Sequence, residues 1–435
     1  MSRFEPTNLG EFCTVNSGFA FKSEQFSEDS NDTFLVKGSN LGHRVIRWDE
    51  GPWWDNSDYE KLQRYQLIVD DVVLAMDRPI VGGQLKFAWI KSSDPKSLLV
   101  QRVACLRAKD VGDQVFLRYV IASPAFLQYI DTITTGVNVP HISGPDIRKY
   151  IFNLPIPEDR QKIAVVLSAY DDLIDNNLER IKLLEEMAQI TYEEWFVRMK
   201  FPGHEEIGID SESGLPIGWK SQTLREVTSY INRGVAPKYV ESDGFPVINQ
   251  KCIRKHLVNF AESRLTASEH KVPKDKLLQP LDILVNSTGT GTLGRVAQFF
   301  DCSDRATVDT HVTIVRPSDE VSAYWLGRSL EAIEPFIVNL GKGATNQQEL
   351  GRNDLADVVK LNTPTVELMT QFDDFAHPIF ETITNLLNQN GLLKEARDLL
   401  LPRLMTGMID IDNVELPEAL LERINKQNHN ETNIG

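Results

Sequence analysis

The chain repeats itself, and this limits its folds more than any single motif does. Set against its own sequence, it shows weak similarity at an offset drifting from about 215 to about 207 residues. Leu9-Gly-Glu-Phe-Cys-Thr and Gly18-Phe-Ala-Phe-Lys22 have counterparts in Leu224-Arg-Glu-Val-Thr and Gly234-Val-Ala-Pro-Lys238. Phe34-Leu-Val-Lys-Gly-Ser-Asn40 pairs with Phe245-Pro-Val-Ile-Asn-Gln, and Asp71-Val-Val-Leu with Asp282-Ile-Leu-Val. Each is an apolar run bounded by polar turn residues, which predicts a strand. Gly136-Val-Asn-Val-Pro-His-Ile-Ser-Gly matches Gly343-Ala-Thr-Asn-Gln-Gln-Glu-Leu-Gly, and a short apolar strand ending in Pro155 or Pro364 follows each. With 435 residues there is apolar surface for two or three cores.

After each of those prolines the pattern turns helical. The first helix is expected from about Glu158 to Arg198, with Pro157 and acidic residues at its start. Leu167, Tyr170, Ile174, Asn177, Ile181, Leu184, Ala188, Thr191 and Trp195 step by three and four, a heptad seam. Phe372, Phe375, Ile379, Thr382, Leu386, Gln389, Leu393, Ala396 and Leu400 repeat the scheme. Two such stripes in one chain most simply cover each other as an antiparallel intramolecular coiled coil, which would set Asn177 near Gln389 and Asn390. A helix of this length spans about 60 Å, enough to hold two lobes about 34 Å apart, one turn of a DNA duplex. The fold expected is α+β: two similar α/β lobes separated by two long helices, with an approximate internal two-fold.

The net charge of −16 argues against a chain that grips nucleic acid by charge alone. Its distribution is uneven: Lys220 to Arg316 holds 14 basic against 10 acidic residues, and Glu158 to Glu194 holds 4 against 10. The start, Met1-Ser-Arg-Phe-Glu-Pro, has no apolar leader and no stretch approaches a membrane span, so the cytoplasm is expected. Cys13, Cys105, Cys252 and Cys302 lie far apart, and neither they nor the eight histidines show metal-ligand spacing. His141 and His311 read as loop or packing residues.

Enzyme signals are few. Gly289-Thr-Gly-Thr-Leu-Gly294 satisfies GxGxxG, but a dinucleotide site needs a helix directly after the glycines. Arg295-Val-Ala-Gln-Phe-Phe300 reads as another strand, which makes the glycines a hairpin turn. The sequence has no Walker A motif and no Asn/Asp-Pro-Pro-Tyr/Phe run.

Two segments carry a family signature. Asn138-Val-Pro-His-Ile-Ser, Leu154-Pro-Ile-Pro-Glu-Asp-Arg-Gln-Lys-Ile-Ala164 and Ile181-Lys-Leu-Leu-Glu-Glu-Met-Ala-Gln-Ile-Thr-Tyr-Glu-Glu-Trp-Phe-Val-Arg198 resemble the central region of type I restriction-modification specificity subunits. Ala396-Arg-Asp-Leu-Leu-Leu-Pro-Arg-Leu-Met-Thr-Gly-Met-Ile409 resembles the end of their second helix. The resemblance implies target-recognition domains at 1–156 and 201–365, conserved helices at 157–200 and 366–408, and a polar tail at 409–435. It implies a subunit without a catalytic centre that reads double-stranded DNA, each domain taking one half of a split, asymmetric site. Two modification subunits would methylate adenine at N6, and restriction subunits would cleave unmethylated DNA. S-adenosylmethionine, ATP and Mg²⁺ would belong to those partners. A stand-alone DNA-binding or scaffolding protein of the same fold remains the alternative.

Residue type and loop position name the candidate DNA contacts, because Arg reads guanine, Asn and Gln read adenine, and Lys grips phosphate. In the first copy they are Lys22, Lys37, Ser39, Asn40, Arg44, Arg78 and Asn138. In the second they are Arg233, Lys238, Asn249, Gln250, Lys251, Arg254, Thr288, Thr290, Lys342, Asn346 and Gln347. Trp195, Phe196, Arg397 and Arg403 are candidates for docking modification subunits, with Trp195 somewhat better suited to plugging the seam.

Overall fold

The computed structural model describes residues 4–49, 51–136, 140–300, 305–343 and 348–424. Packing sorts the chain into two compact units, Met1–Asp175 with Asn390–Gly435, and Asn176–Gln389. The boundaries fall inside the two long helices, so each unit holds a segment of both.

In the first unit, strands Cys13–Ser17, Val103–Ala108, Val72–Ala75 and Phe87–Trp89 form an antiparallel sheet in that order. In the second unit the order is Thr228–Arg233, Val312–Pro317, Ile283–Asn286 and Val296–Gln298, again antiparallel throughout. Central strands such as Val72-Val-Leu-Ala75 are buried on both faces, which is why they read as unbroken apolar runs. A second sheet accompanies each, and in both a parallel pair breaks the antiparallel pattern: Thr33–Val36 beside Ser97–Leu99, and Gly244–Ile248 beside Thr307–Val308. A two-stranded ribbon, Phe4–Asn8 with Ile151–Pro155 or Lys220–Thr223 with Lys360–Thr363, leads from each lobe into a long helix.

One ion pair on a buried carboxylate recurs at the same place in both units. Arg107 grips Asp71 through two bonds, of 2.5 and 2.7 Å, and Arg316 grips Asp282 through two bonds of 2.7 Å. Each carboxylate also accepts a backbone N–H from three residues upstream, Ile68 or Gln279. Satisfied by three donors apiece, these carboxylates can sit inside the fold.

The first long helix runs Pro157–Tyr192 and closes in one π-turn, Glu193–Val197. Pro157 has no N–H to leave unpaired at the helix start, and Glu158 and Asp159 face its positive end. The second runs Val366–Met405; Thr365 caps it by accepting the Leu368 N–H, and Gly407 ends it at φ +72°.

The seam differs from the sequence expectation by one residue at alternate positions. Asp171, Tyr192 and Phe196 are buried on the first helix where Tyr170, Thr191 and Trp195 were expected. On the second, Ala376, Ile383, Asn390 and Arg397 are buried, and Gln389 is exposed. An apolar-pattern reading passes over charged residues, and here Asp171 and Arg397 stand in the seam with each other as partners. In the first unit Ile174 O accepts from the buried Asn390 side chain while Asp171 meets Arg397, so the two segments run antiparallel. In the second unit Tyr192 and Phe196 lie against Phe372, with ring centroids 6.5 and 5.2 Å away.

Candidate nucleic-acid interface

In each unit three loops are stitched together where a central strand leaves its sheet. Beyond Val72–Ala75, the Met76 N–H donates to Arg102 O at 2.8 Å, and Met76 O accepts the Ile142 N–H at 2.9 Å. Beyond Ile283–Asn286, the Ser287 N–H donates to His311 O at 2.8 Å, and Ser287 O accepts the Leu350 N–H at 2.8 Å. The third loop is closed alike by reciprocal backbone bonds, Thr135 with His141 and Lys342 with Glu349. Bridges Asp77 to His141 and Thr288 to Glu349 complete the match. Backbone bonds thus bring together the hairpin loop, the inter-strand turn and the described flanks of the helix-to-helix loop.

The glycine motif lies in the second of these hairpins. It connects two antiparallel strands, Ile283–Asn286 and Val296–Gln298, so no helix N-terminus follows it to receive a pyrophosphate. Gly289, Gly291 and Gly294 have φ of +106°, +72° and +82°, which is why the turn takes glycine there.

Several sequence candidates meet at these clusters. Arg78 is exposed in the first hairpin, its N–H bound to Pro140 O. In the second unit Glu349 gathers three of them. Arg233 pairs with its carboxylate and donates to Leu350 O, Thr288 bridges to its backbone, and Lys342 exchanges backbone bonds with it while its Nζ meets Asp354 at 2.6 Å. Thr290 is exposed at the tip. Lys22, Ser39, Lys238 and Lys251 are exposed elsewhere on their units, while Lys37, Gln250 and Arg254 are half-buried. Asn138, Asn346 and Gln347 lie outside the described residues.

Three candidates are internal instead. The Asn40 side chain accepts from Lys37 N and donates to Leu35 O, and that of Asn249 accepts from Lys251 N and donates to Glu262 O; both amides are spent on their own turns. Arg44 turns inward at φ +60°, its side chain 8% exposed, toward Asp171 at 3.7 Å and Asp398 at 3.6 Å. Burial lowers its pKa first, and neighbouring Arg397 lowers it further.

The docking candidates divide in the same way. Arg403 is exposed. Arg397 is buried against Asp171 at 2.6 Å and Asp398 at 2.9 Å, and Phe196 is buried among Phe372, Trp219 and Trp325, so neither presents a surface to a partner. Trp195 is half-buried, its ring 5.9 Å from Phe372, and plugs the seam. Arg102 and His311, both exposed at the loop clusters, were not among the candidate DNA contacts. Each sits alone in a short turn between strands, where no periodicity or glycine signal marks it.

The comparisons agree with this architecture. The family model described as the type I restriction modification DNA specificity domain matches residues 1–186. The MjaIX type I restriction enzyme specificity subunit of Methanocaldococcus jannaschii is 25% identical over 314 residues, 70% of this chain and 71% of that one. The EcoAI specificity subunit of Escherichia coli is 32% identical over 190 residues, 43% of this chain and 31% of that one. The crystal structure of a type I restriction-modification S subunit from M. genitalium superposes with a TM-score of 0.51 at 13% identity, covering 92% of this chain and 96% of that one. With the duplicated lobe, the paired long helices and these relatives in view, the chain is similar to type I restriction-modification specificity subunits, and its residues 1–186 match their DNA specificity domain.

Proposed function

We propose that this chain is the sequence-reading subunit of a type I restriction-modification assembly, in which each unit reads one half of a bipartite, asymmetric DNA target. The observation that carries the reading is the duplicated loop cluster, whose backbone bonds match between units while the exposed side chains differ. A rigid frame with variable side chains is what reading two unlike half-sites requires.

The chain works in the cytoplasm and is non-catalytic by itself; no helix among the described residues is long and apolar enough to cross a membrane. Modification subunits bring S-adenosylmethionine and methylate adenine, and restriction subunits bring ATP and Mg²⁺ for cleavage. The exposed apolar residues Leu183, Met187 and Ile190 of the first helix form a stripe at helical spacing for the modification subunit to cover. With a net charge of −16, this chain leaves much of the phosphate grip to those partners.

Coexpression with a modification subunit tests the proposal. The expected result is a stable complex with two copies of that subunit, methylating one bipartite motif by methylome sequencing. Exchanging residues 220–365 for those of a relative should change one half of the motif. No complex, or a change in both halves, overturns the reading.

A further inference from the structure

The two loop clusters share their backbone and differ in their side chains, and this singles out particular positions. Arg102 and His311 occupy the same turn, each giving its carbonyl to the residue that leaves the central strand, Met76 or Ser287. The next residue in each hairpin faces the turn side chain. Asp77 Oδ2 lies 3.9 Å from Arg102 Nε, and Thr288 Oγ1 lies 2.6 Å from His311 Nδ1. Asp77 and Thr288 in turn bridge to His141 and Glu349. An acid–arginine pair in one unit is therefore replaced by a hydroxyl–imidazole pair in the other, on an unchanged set of backbone bonds.

A pair that served the fold would be kept, as Arg107 with Asp71 and Arg316 with Asp282 are kept, bidentate on a buried carboxylate in both units. Arg102 and His311 are exposed, and His311 lies beside the buried Asp309, whose carboxylate accepts the His311 backbone N–H at 2.8 Å. Arg102 has φ +67°, the left-handed conformation of a tight turn between its flanking strands.

We infer that Arg102 and His311 are specificity-determining residues, each contacting a base of the half-site read by its own unit, with Asp77 and Thr288 as their positioning residues. This rests on the DNA-reading function proposed above. Arg102 offers a guanidinium fork matched to the N7 and O6 of guanine. His311, with Nδ1 engaged by Thr288, presents Nε2 to a single acceptor or donor on a base edge. The tautomer, and so the base preferred, follows from which way the Thr288 hydroxyl points.

The test uses the full complex with its modification subunits, reading methylated motifs genome-wide and binding to the parent motif. The parent complex must first methylate a bipartite site; failure there refutes the function, not this inference. H311A should relax one position in one half of the motif and weaken binding about tenfold, and R102A should do the same in the other half only. T288V, which keeps the shape and removes the hydroxyl, should relax the same position as H311A. H311Q, which retains a polar edge, should alter the preferred base there while methylation elsewhere in the motif persists. Unchanged motifs in H311A and R102A, with binding within about twofold of the parent, overturn the inference. So does a uniform loss across all sequences, the mark of a phosphate contact.

Discussion

Where a lobe's small helix meets the long helices, the two units solve one packing problem with different balances of charge. In the first unit, Asp171 on the first long helix accepts from Tyr119 Oη at 2.7 Å and from Arg397 at 2.6 Å, and Arg44 approaches it from a loop. Asp398 serves both guanidinium groups from the solvent side. Two cations meet two carboxylates. In the second unit Arg328 pairs with Glu331, and Arg328 also acts on the charge of Glu185 on the first long helix. His256 takes the place of Arg44 in a left-handed turn at φ +58°, 3.9 Å from Glu331 and 3.7 Å from Glu334.

Carboxylates outnumber guanidinium groups in the second cluster, and protons make up the difference. Burial raises the pKa of Glu331 to about 8 and that of Glu185 to about 7, against 4.5 ordinarily. The fold requires a polar filling at this junction but leaves its sign open. A balanced filling is insensitive to pH, and an acid-rich one is not.

The comparison breaks most easily at Asp171. D171A would leave Arg44 and Arg397 buried with only the half-exposed Asp398 between them, at a cost of about 3–5 kcal/mol. Denaturant unfolding of the full chain measures it, and a loss under about 1 kcal/mol would mean water already satisfies the cluster.

A second contrast concerns Gly18 and Gly234, which match in the repeat. A Cβ at Gly234 would stand 1.8 Å from Val308 O, and one at Gly18 would stand 2.3 Å from Val100 O, both backbone atoms. G234A should cost about 1–3 kcal/mol and G18A somewhat less, because the neighbouring strand must move further at Gly234. Equal midpoint shifts would show that the two crossings relax alike.

The effect that depends on pH belongs to Glu331. Its folded pKa lies above its unfolded value, so between about pH 4.5 and 8 the folded state holds a proton that the unfolded state has lost. Stability from this group is complete at low pH and is lost as pH rises toward 8. E331Q should match the parent near pH 5 and exceed it progressively up to pH 8 in thermal unfolding. A difference between the two proteins that stays flat with pH would remove Glu331 from the account.

Much of the fold was legible because it is local or repeated. The match of Asp71-Val-Val-Leu with Asp282-Ile-Leu-Val marks two equivalent central strands, and the strand-like run after Gly294 correctly made the glycine motif a hairpin. The site was less legible. Asn40, Asn249 and Arg44 have the right chemistry for DNA and are turned inward, while Arg102 and His311 stand at the loop clusters without a sequence signal.

By itself the sequence determined the duplication, the strands and the two long helices, since apolar spacing and the glycines of a tight turn such as Gly289, Gly291 and Gly294 act over a few residues. Only the tertiary structure decided which polar side chains are spent inside. The partners of Asp171 come from residues 119 and 397, and those of Ser287 from residues 311 and 350. A polar group's role depends on the neighbour that satisfies it, and the chain brings that neighbour from far away.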